Sequence, residues 1–560
     1  MAEWRPPKGI EIDKKLRDDF RLMLREYGIT TQETDPLLAV LFRSLAVQVE
    51  EVYEQAADTI PLAIIDELMT GLGMPERRSQ PAQSVIRLTL QKGRQHFDEG
   101  TELQGEAQSK ERLVFALNTP IEVSPAQICL VAVYQNGVVR LHQGTELPKE
   151  LEDARPSFEP VPAELGPHPA IFLAVDVPDE RHLSNHGFYF ELVPEAKDTL
   201  AYLQREAWCL LDDDGEVQAK GLLRSNPSNG GVQRLEWLTP DSRASATDPL
   251  LAEGFYGGRA FRFPEVPTDR AFMTQLPRKM GAPLRQIFQA GGAVLFTRPR
   301  AWIRIGLPQE AATVGEDIVR IVLHCTTASN VEVLNQTITF NESGTSIPIS
   351  NGGGLPRYLV KPISIKGERG SEYLHESNPT ATAETGRYRI RAGRLEIEPA
   401  HTLRGESDRF ANVRLLLSNG ELANQVSAGA IRTFLRSVSV PTLEITNLTA
   451  ATGGTDGETF KDARRRFAEL LLSRERAVTH LDLEAIARAF EPKVRSVKCQ
   501  SVLERAVGGL CRTQRISVVL DRRSFTMPDE QARVLKEELE SHLQQKALLG
   551  LKVRVAIEWI

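Results

Sequence analysis

From residue 82 to about residue 445 the apolar residues recur at every second position, in short runs cut by turn residues. This period decides what most of the chain can become. "VIRLTL", "LVFALN", "ICLVAVYQNG", "AIFLAVDV", "GFYFELV", "AWCLLDDDG" and "LEWLT" are followed after residue 300 by "AWIRIGL", "IVRIVLHC", "VEVLNQTITF", "YRIRAGRLEIEP" and "NVRLLLSNG". β-Branched and aromatic residues dominate these runs, and alternation sets one side of each strand against a core. One or two antiparallel sandwich or barrel-like domains are expected, divided as residues 79–300 and 301–445. "SIPISNGGGLPRYLVKP" and "ERGSEYLHESNPTATAETG" read as long exposed loops, places where partners would make contact.

Both ends have a helical period. In "ETDPLLAVLFRSLAVQVEEVYEQAADTIPLAIIDELMTGLGM", Asp35 is placed as an N-cap and Pro36 at the first helical position. Leu37, Leu38, Leu41, Phe42, Leu45, Val49, Val52 and Tyr53 then recur at three- and four-residue steps as one apolar stripe. Such a stripe needs a partner face. It comes either from the next helix, near residues 62–72, in an intramolecular hairpin, or from another subunit in a shared bundle. Residues 1–78 form this helical segment. The last segment, 446–560, predicts an α-β-β-α-β order that closes into a small sandwich with one sheet face covered. The fold class is thus multidomain α+β.

Between the β region and that last module lies "GGTDGETFKDARRRF". Gly453 and Gly454 permit a sharp hinge. Thr455 and Glu458 have the spacing of a capping box, and Asp456 and Glu458 suit the positive end of a helix. Phe460, Ala463 and Phe467 share a face of that helix, with Arg464 among the charged residues spread over the others. An ion site would need oxygen ligands at alternating loop positions, and this segment turns helical instead.

Composition excludes several classes. With 41% hydrophobic and 26% charged residues over 560, the chain reads as an ordinary globular protein of several domains. A formal net charge of -7 supplies no overall field for a nucleic acid. Neither a secretory leader nor a run of the length a spanning helix needs is apparent, so cytoplasmic synthesis and no direct membrane insertion are expected, with later release or membrane attachment of a larger particle left open. Five scattered cysteines suggest neither a disulfide framework nor a zinc knuckle. The best metal candidate is His182 with His186, an i, i+4 pair beside Asp179 and Glu180. Leu183 stands where a zinc hydrolase places its glutamate, and the segment reads as a loop. "NGGGLPR" lacks the lysine of a phosphate loop, and no nucleophile elbow appears. No catalytic residue, metal or cofactor is assigned. The alternative is a surface metal hydrolase or carbohydrate-binding β protein using the His182/His186 loop.

"GGTDGETFKDARRRF", "RERAVTHLDLEAIARAF" and "VRSVKC", in that order, resemble the C-terminal region of the baseplate J-like wedge proteins of contractile phage tails and injection systems. In that family a Gly-Gly-x-Asp-x-Glu element opens one helix and Arg-Ala-Val-Thr, here Arg476 to Thr479, introduces the next. The Asp-Pro-x-Leu helix, "FDEGTELQGE" and "LVFALNTPIEVSP" look like the family's N-terminal region. "AWIRIGLP" and "VEVLNQTI" are similar to the wedge protein of type VI secretion baseplates, although "ASNVEVLN" stands where an Asn-aromatic-Pro motif would be. The resemblance implies a structural subunit without catalysis. Its partners would be other wedge subunits, the spike or hub, and sheath-proximal baseplate proteins, in a six-fold hetero-oligomeric ring. Its N-terminal helices would join a partner bundle, and its C-terminal modules would pair neighbouring subunits.

Overall fold

The strand Ala170–Asp176 is buried along almost its whole length, on both faces, and the architecture grows outward from it. The computed structural model describes residues 8–27, 36–51, 77–144, 147–177, 186–193, 196–205, 208–211, 216–218, 223–224, 256, 259–262, 273–288, 296–311, 314–341, 345–348, 355–376, 378, 385–391, 394–401, 407–436, 442–458, 462–463, 465–467, 476–506, 509–548 and 551–560. Two units result: residues 1–76 with 461–468, and residues 77–460 with 469–560. The helix expected near 62–72 and the run "LEWLT" lie outside the described residues. Among the described residues no helix is long and apolar enough to cross a membrane.

In the first unit a helix Gly9–Glu26 lies antiparallel to a helix over residues 36–51. Phe20 meets Phe42 edge to face at 5.3 Å. At the other end of the pair the chains come so close that a Cβ on Gly9 would stand 2.5 Å from a Glu50 carboxylate oxygen. The segment 461–468 belongs to this unit, with Ala463 and Arg466 buried.

The second unit is mostly antiparallel sheet. The largest sheet among the described residues includes Trp208–Leu211, Arg300–Gly306, Ala170–Asp176, Gln127–Gln135 and Val138–Leu141 as successive neighbours. One face packs on the sheet of Ala260–Arg262, Gly187–Leu192 and Ile318–Leu323, where Phe188, Phe190, Trp208 and Phe261 form an aromatic cluster. The other face is covered by the helix Gly281–Ile287 through Leu284 and Ile287. Burial on both faces accounts for the unbroken apolar runs "AIFLAV" and "CLVAVY", which alternation alone would have interrupted.

A second sheet orders the strands Ile431–Phe434, Glu102–Glu106, Arg112–Leu117, Cys325–Ser329, Gln83–Leu90 and Leu443–Asn447, so strands far apart in sequence interleave. Residues 331–418 form a lobe of this unit in which two small sheets enclose Ile338, Ile365, Leu395, Val413 and Leu415, and Val331, Val360 and Leu416 pack on Ala116 of the second sheet. Asn330 closes its neck. The buried Asn330 amide donates to Val114 O (2.8 Å) and Asn419 Oδ1 (3.0 Å), and its carbonyl accepts from Asn419 N (2.8 Å) and Ser418 Oγ (3.2 Å).

The C-terminal module runs helix His480–Phe490, strands Val494–Ala506 and Gly509–Leu520, helix Pro528–Lys546 and strand Lys552–Trp559. The last strand pairs parallel with the middle one, and both helices cover the same face. The whole is α+β and multidomain, with several antiparallel sheets.

Candidate docking interface

The apolar stripe of the helix at 36–51 divides in two. Ala46 is buried, and Leu38, Phe42 and Val49 are half-buried, placing them on the side of that helix that meets Phe20 and Gly9. Leu37, Leu41 and Leu45 are 74%, 62% and 45% exposed, and Val40 and Val47 on the same helix are exposed as well. Covering a Leu or Val side chain fully contributes about 1.5–3 kcal/mol. Five such residues on one helix are therefore a substantial reserve of binding free energy. Val52 and Tyr53 lie outside the described residues.

The glycine element does something other than open a helix. Thr455 does not cap Glu458: Thr455 Oγ1 accepts from Gln80 N (3.2 Å) and Glu458 Oε2 accepts from Arg77 N (2.9 Å). Residues 452–458 are instead laid antiparallel against 77–83, through bridges Gln80 to Thr455 and Gln83 to Thr452. With the donors of the 77–80 backbone presented alongside, the two side chains satisfy those, and residues 455–458 are not helical. Gly453 sits at φ +82°, a left-handed conformation that favours glycine. Gly454 exchanges two hydrogen bonds with the Asn424 amide, at 2.7 and 2.9 Å, and a Cβ there would lie 2.5 Å from Gly420 O. Asp456 accepts from Glu421 N (2.8 Å) and from Tyr358 OH (3.0 Å). Burial, then the Asp456 charge, push the Tyr358 phenol up to about 12, so it remains a donor. Phe460 and Arg464 lie outside the described residues, and Phe467 is half-buried within the first unit.

The capping box stands further on. Thr479 Oγ1 accepts from Asp482 N (3.1 Å) while Asp482 accepts from Thr479 N (2.8 Å), starting the helix His480–Phe490. Thr-x-x-Asp ahead of an apolar run was the available signal. This module is fastened to the rest of its unit by Arg77 donating to Phe490 O (2.9 Å), by Lys493 with Glu421 (2.8 Å) and by the buried pair Arg259 with Glu537 (2.9 Å). Isolated exposed pairs contribute little, whereas breaking a buried one leaves a charge uncompensated.

His182 lies outside the described residues, as do Asp179 and Glu180. His186 is fully buried, its Nε2 2.9 Å from Ser124 Oγ, with its ring edge-to-face against His324 at 4.8 Å. His324 occupies the left-handed region (φ 61°) where the chain passes from strand Ile318–Leu323 to strand Cys325–Ser329. Its Nε2 donates to Ala126 O (2.9 Å), and its Nδ1 has no hydrogen-bond partner. Burial, then the neighbouring His186 and Arg87, hold the His324 imidazole well below its ordinary value. Among the described residues no group of three or more His, Cys, Asp or Glu is placed to hold a metal ion.

No family model matches the chain. No curated protein matches it. Among solved structures it is similar to a chain of the type VI secretion system TssK-TssF-TssG baseplate subcomplex, at 12% identity and TM-score 0.41, over 93% of this chain and 96% of that one. It is also similar to a chain of the baseplate complex from the type VI secretion system, at 13% identity and TM-score 0.36, over 98% and 96%. A third likeness is to a chain of the anti-feeding prophage baseplate, at 9% identity and TM-score 0.29, over 96% and 70%. These likenesses are of extent and not of detail.

Gly420→Ala should destabilise the second unit by about 2 kcal/mol or more, because Gly420 has φ +57° and its Cβ would lie against Asp456 Oδ1. Asp456→Ala should cost about 1–3 kcal/mol alone. Urea unfolding of the double variant should show less than the sum, since the clash partner is gone.

His324 is neutral when folded and binds a proton when unfolded, so stability is lost as pH falls below about 6.5. Melting at about pH 7.5 and about pH 5.5 should show a smaller acid-induced drop for His324→Asn, which tolerates the left-handed backbone and does not titrate. Equal drops would show that the acid dependence arises elsewhere.

Proposed function

We propose that this chain is a structural wedge subunit of the baseplate of a contractile injection apparatus and not an enzyme. The outward stripe of Leu37, Val40, Leu41, Leu45 and Val47 carries the reading, because a helix packed on one side and apolar on the other is built for a further partner. The order of the wedge-like motifs at both ends of the chain supports it. The glycine element adds a physical reason for those residues: Gly454, Asp456 and Glu458 fasten the segment that leads back to the N-terminal helices.

In this role the helices of residues 1–78 join a bundle with another wedge subunit. The β region expected as two domains, 79–300 and 301–445, has strands from either side of residue 300 in the same sheets and forms one plate, and the module at 446–560 pairs with a neighbour. Copies arranged in a six-fold ring around the spike or hub, and touching sheath-proximal subunits, act as a latch. Triggering shifts the ring between two arrangements that differ in interface free energy, and the sheath then contracts. The hydrolase alternative draws no support from His186, whose ring is committed to the interior with Ser124 and His324.

Tagged protein recovered from its native cell should bring sheath, tube and spike proteins, with ring or syringe-shaped particles by negative stain. Leu41→Asp with Leu45→Asp should abolish that association, an aspartate in an apolar bundle costing several kcal/mol. Because both side chains are exposed in the chain alone, melting of the isolated variant should stay close to that of the parent. An intact assembly with both aspartates would rule out this helix face as the interface.

A further inference from the structure

The sheet of the C-terminal module has two edges, and helix side chains are laid along both. On the outer edge of strand Lys552–Trp559, the Gln544 amide of helix Pro528–Lys546 accepts from Val553 N (3.1 Å) and donates to Leu551 O (2.7 Å). Those are the two positions that one residue of a parallel neighbouring strand would fill. One turn back, Glu540 accepts from Val555 N (3.2 Å). On the opposite edge, in strand Val494–Ala506, Cys499 N donates to Glu484 of helix His480–Phe490 (2.9 Å).

These contacts show which backbone groups of Lys552–Trp559 face outward. The strand pairs on its inner side with Gly509–Leu520, so the groups of Val553, Val555 and, by alternation, Ile557 are turned to the edge. A row of this kind is a template for another strand. An exposed amide would otherwise bond to water, so Gln544 and Glu540 add only modestly to stability. Their larger effect is to fill the edge. Without them that edge is complementary to itself. Set antiparallel to a second copy with the two Val555 residues opposite each other, Val553 meets Ile557 of the copy and the exposed Lys552 meets its exposed Glu558, twice over. Opposite charges directly across an antiparallel pair favour that register.

We propose that Glu540 and Gln544 are guards: by filling the outer edge of Lys552–Trp559 they keep two copies of this chain from joining their sheets edge to edge. Pairing there requires both side chains to leave the edge. The device belongs to the chain by itself and does not depend on the baseplate reading, which rests on the helices of residues 1–78.

Sedimentation velocity of the purified full chain over a dilution series tests this. Glu540→Ala with Gln544→Ala, both changes that suit a helix, should strengthen self-association over the parent at least about tenfold, with circular dichroism unchanged. Adding Lys552→Glu should reverse the gain, and adding Glu558→Lys to that variant should restore it, because the swap re-forms both charge pairs. A double variant that associates no more tightly than the parent would overturn the proposal. So would association indifferent to the charge swap, which would mark aggregation or another surface. Should the double variant melt early, Gln544→Ala alone, at an exposed helix position, carries the test: it must still associate more tightly than the parent and respond to the same swap, or the proposal falls. Each of these outcomes leaves the baseplate reading as it stands.

Discussion

Two backbones that touch without side chains between them are the constraint on which the second unit depends. Gly454 comes so close to Gly420 O that even a methyl group has no room, and the Asn424 amide fills both hydrogen-bonding positions of Gly454. This contact aligns 452–458 with 77–83 and delivers Asp456 to Tyr358 and Glu421. Strand Gln83–Leu90 then starts in register between Cys325–Ser329 and Leu443–Asn447. From the same place Arg77 reaches Phe490 O and Glu421 reaches Lys493, which tie down the C-terminal module. One close approach thus sets the position of a sheet, a loop and a terminal module.

The largest sheet contributes stiffness. Its central strands are packed on both faces, one by a second sheet with an aromatic cluster and the other by a short helix. Close-packed layers move as a body, because sliding one over another requires many side chains to change rotamer together. A plate of this kind can hold its edges at fixed separation while surfaces elsewhere are engaged or released. The buried histidines lie within this framework and fasten turns: His142 Nε2 donates to Ile318 O (2.7 Å) at one end of a strand, and His324 marks the other.

What the sequence disclosed follows from the range of the interactions. Period-2 runs announce strands, and the α-β-β-α-β order of the last module is visible because each of its elements has a long, clean pattern. Strand neighbours are hidden, since nothing in "VIRLTL" names Cys325–Ser329 or Leu443–Asn447 as its partners. The Thr455 and Glu458 spacing suggested a local capping box, yet the donors that use those side chains are 375 and 381 residues upstream. The i, i+4 histidine spacing pointed in the same way to a local pair, while the ring that meets His186 belongs to His324. The true box at Thr479 and Asp482 was legible, with aspartate in the position usually given to glutamate. The stripe at 37–49 could be read as apolar; which half of it faces outward depended on Phe20 and Gly9, in a helix that no short window includes.

The neck at Asn330 has a consequence for how such a chain can vary. A single amide holds the points where the backbone goes into and comes out of the lobe at 331–418, using both of its polar atoms. The lobe has its own core and its own pair of sheets. Lengthening its outer loops leaves that neck, and so the spacing seen by the sheets beneath, as it was. The outer loops of the lobe are therefore where natural drift can add length and a designer can graft, while the strands that carry Tyr358, Val360 and Leu416 answer to the sheet beneath them.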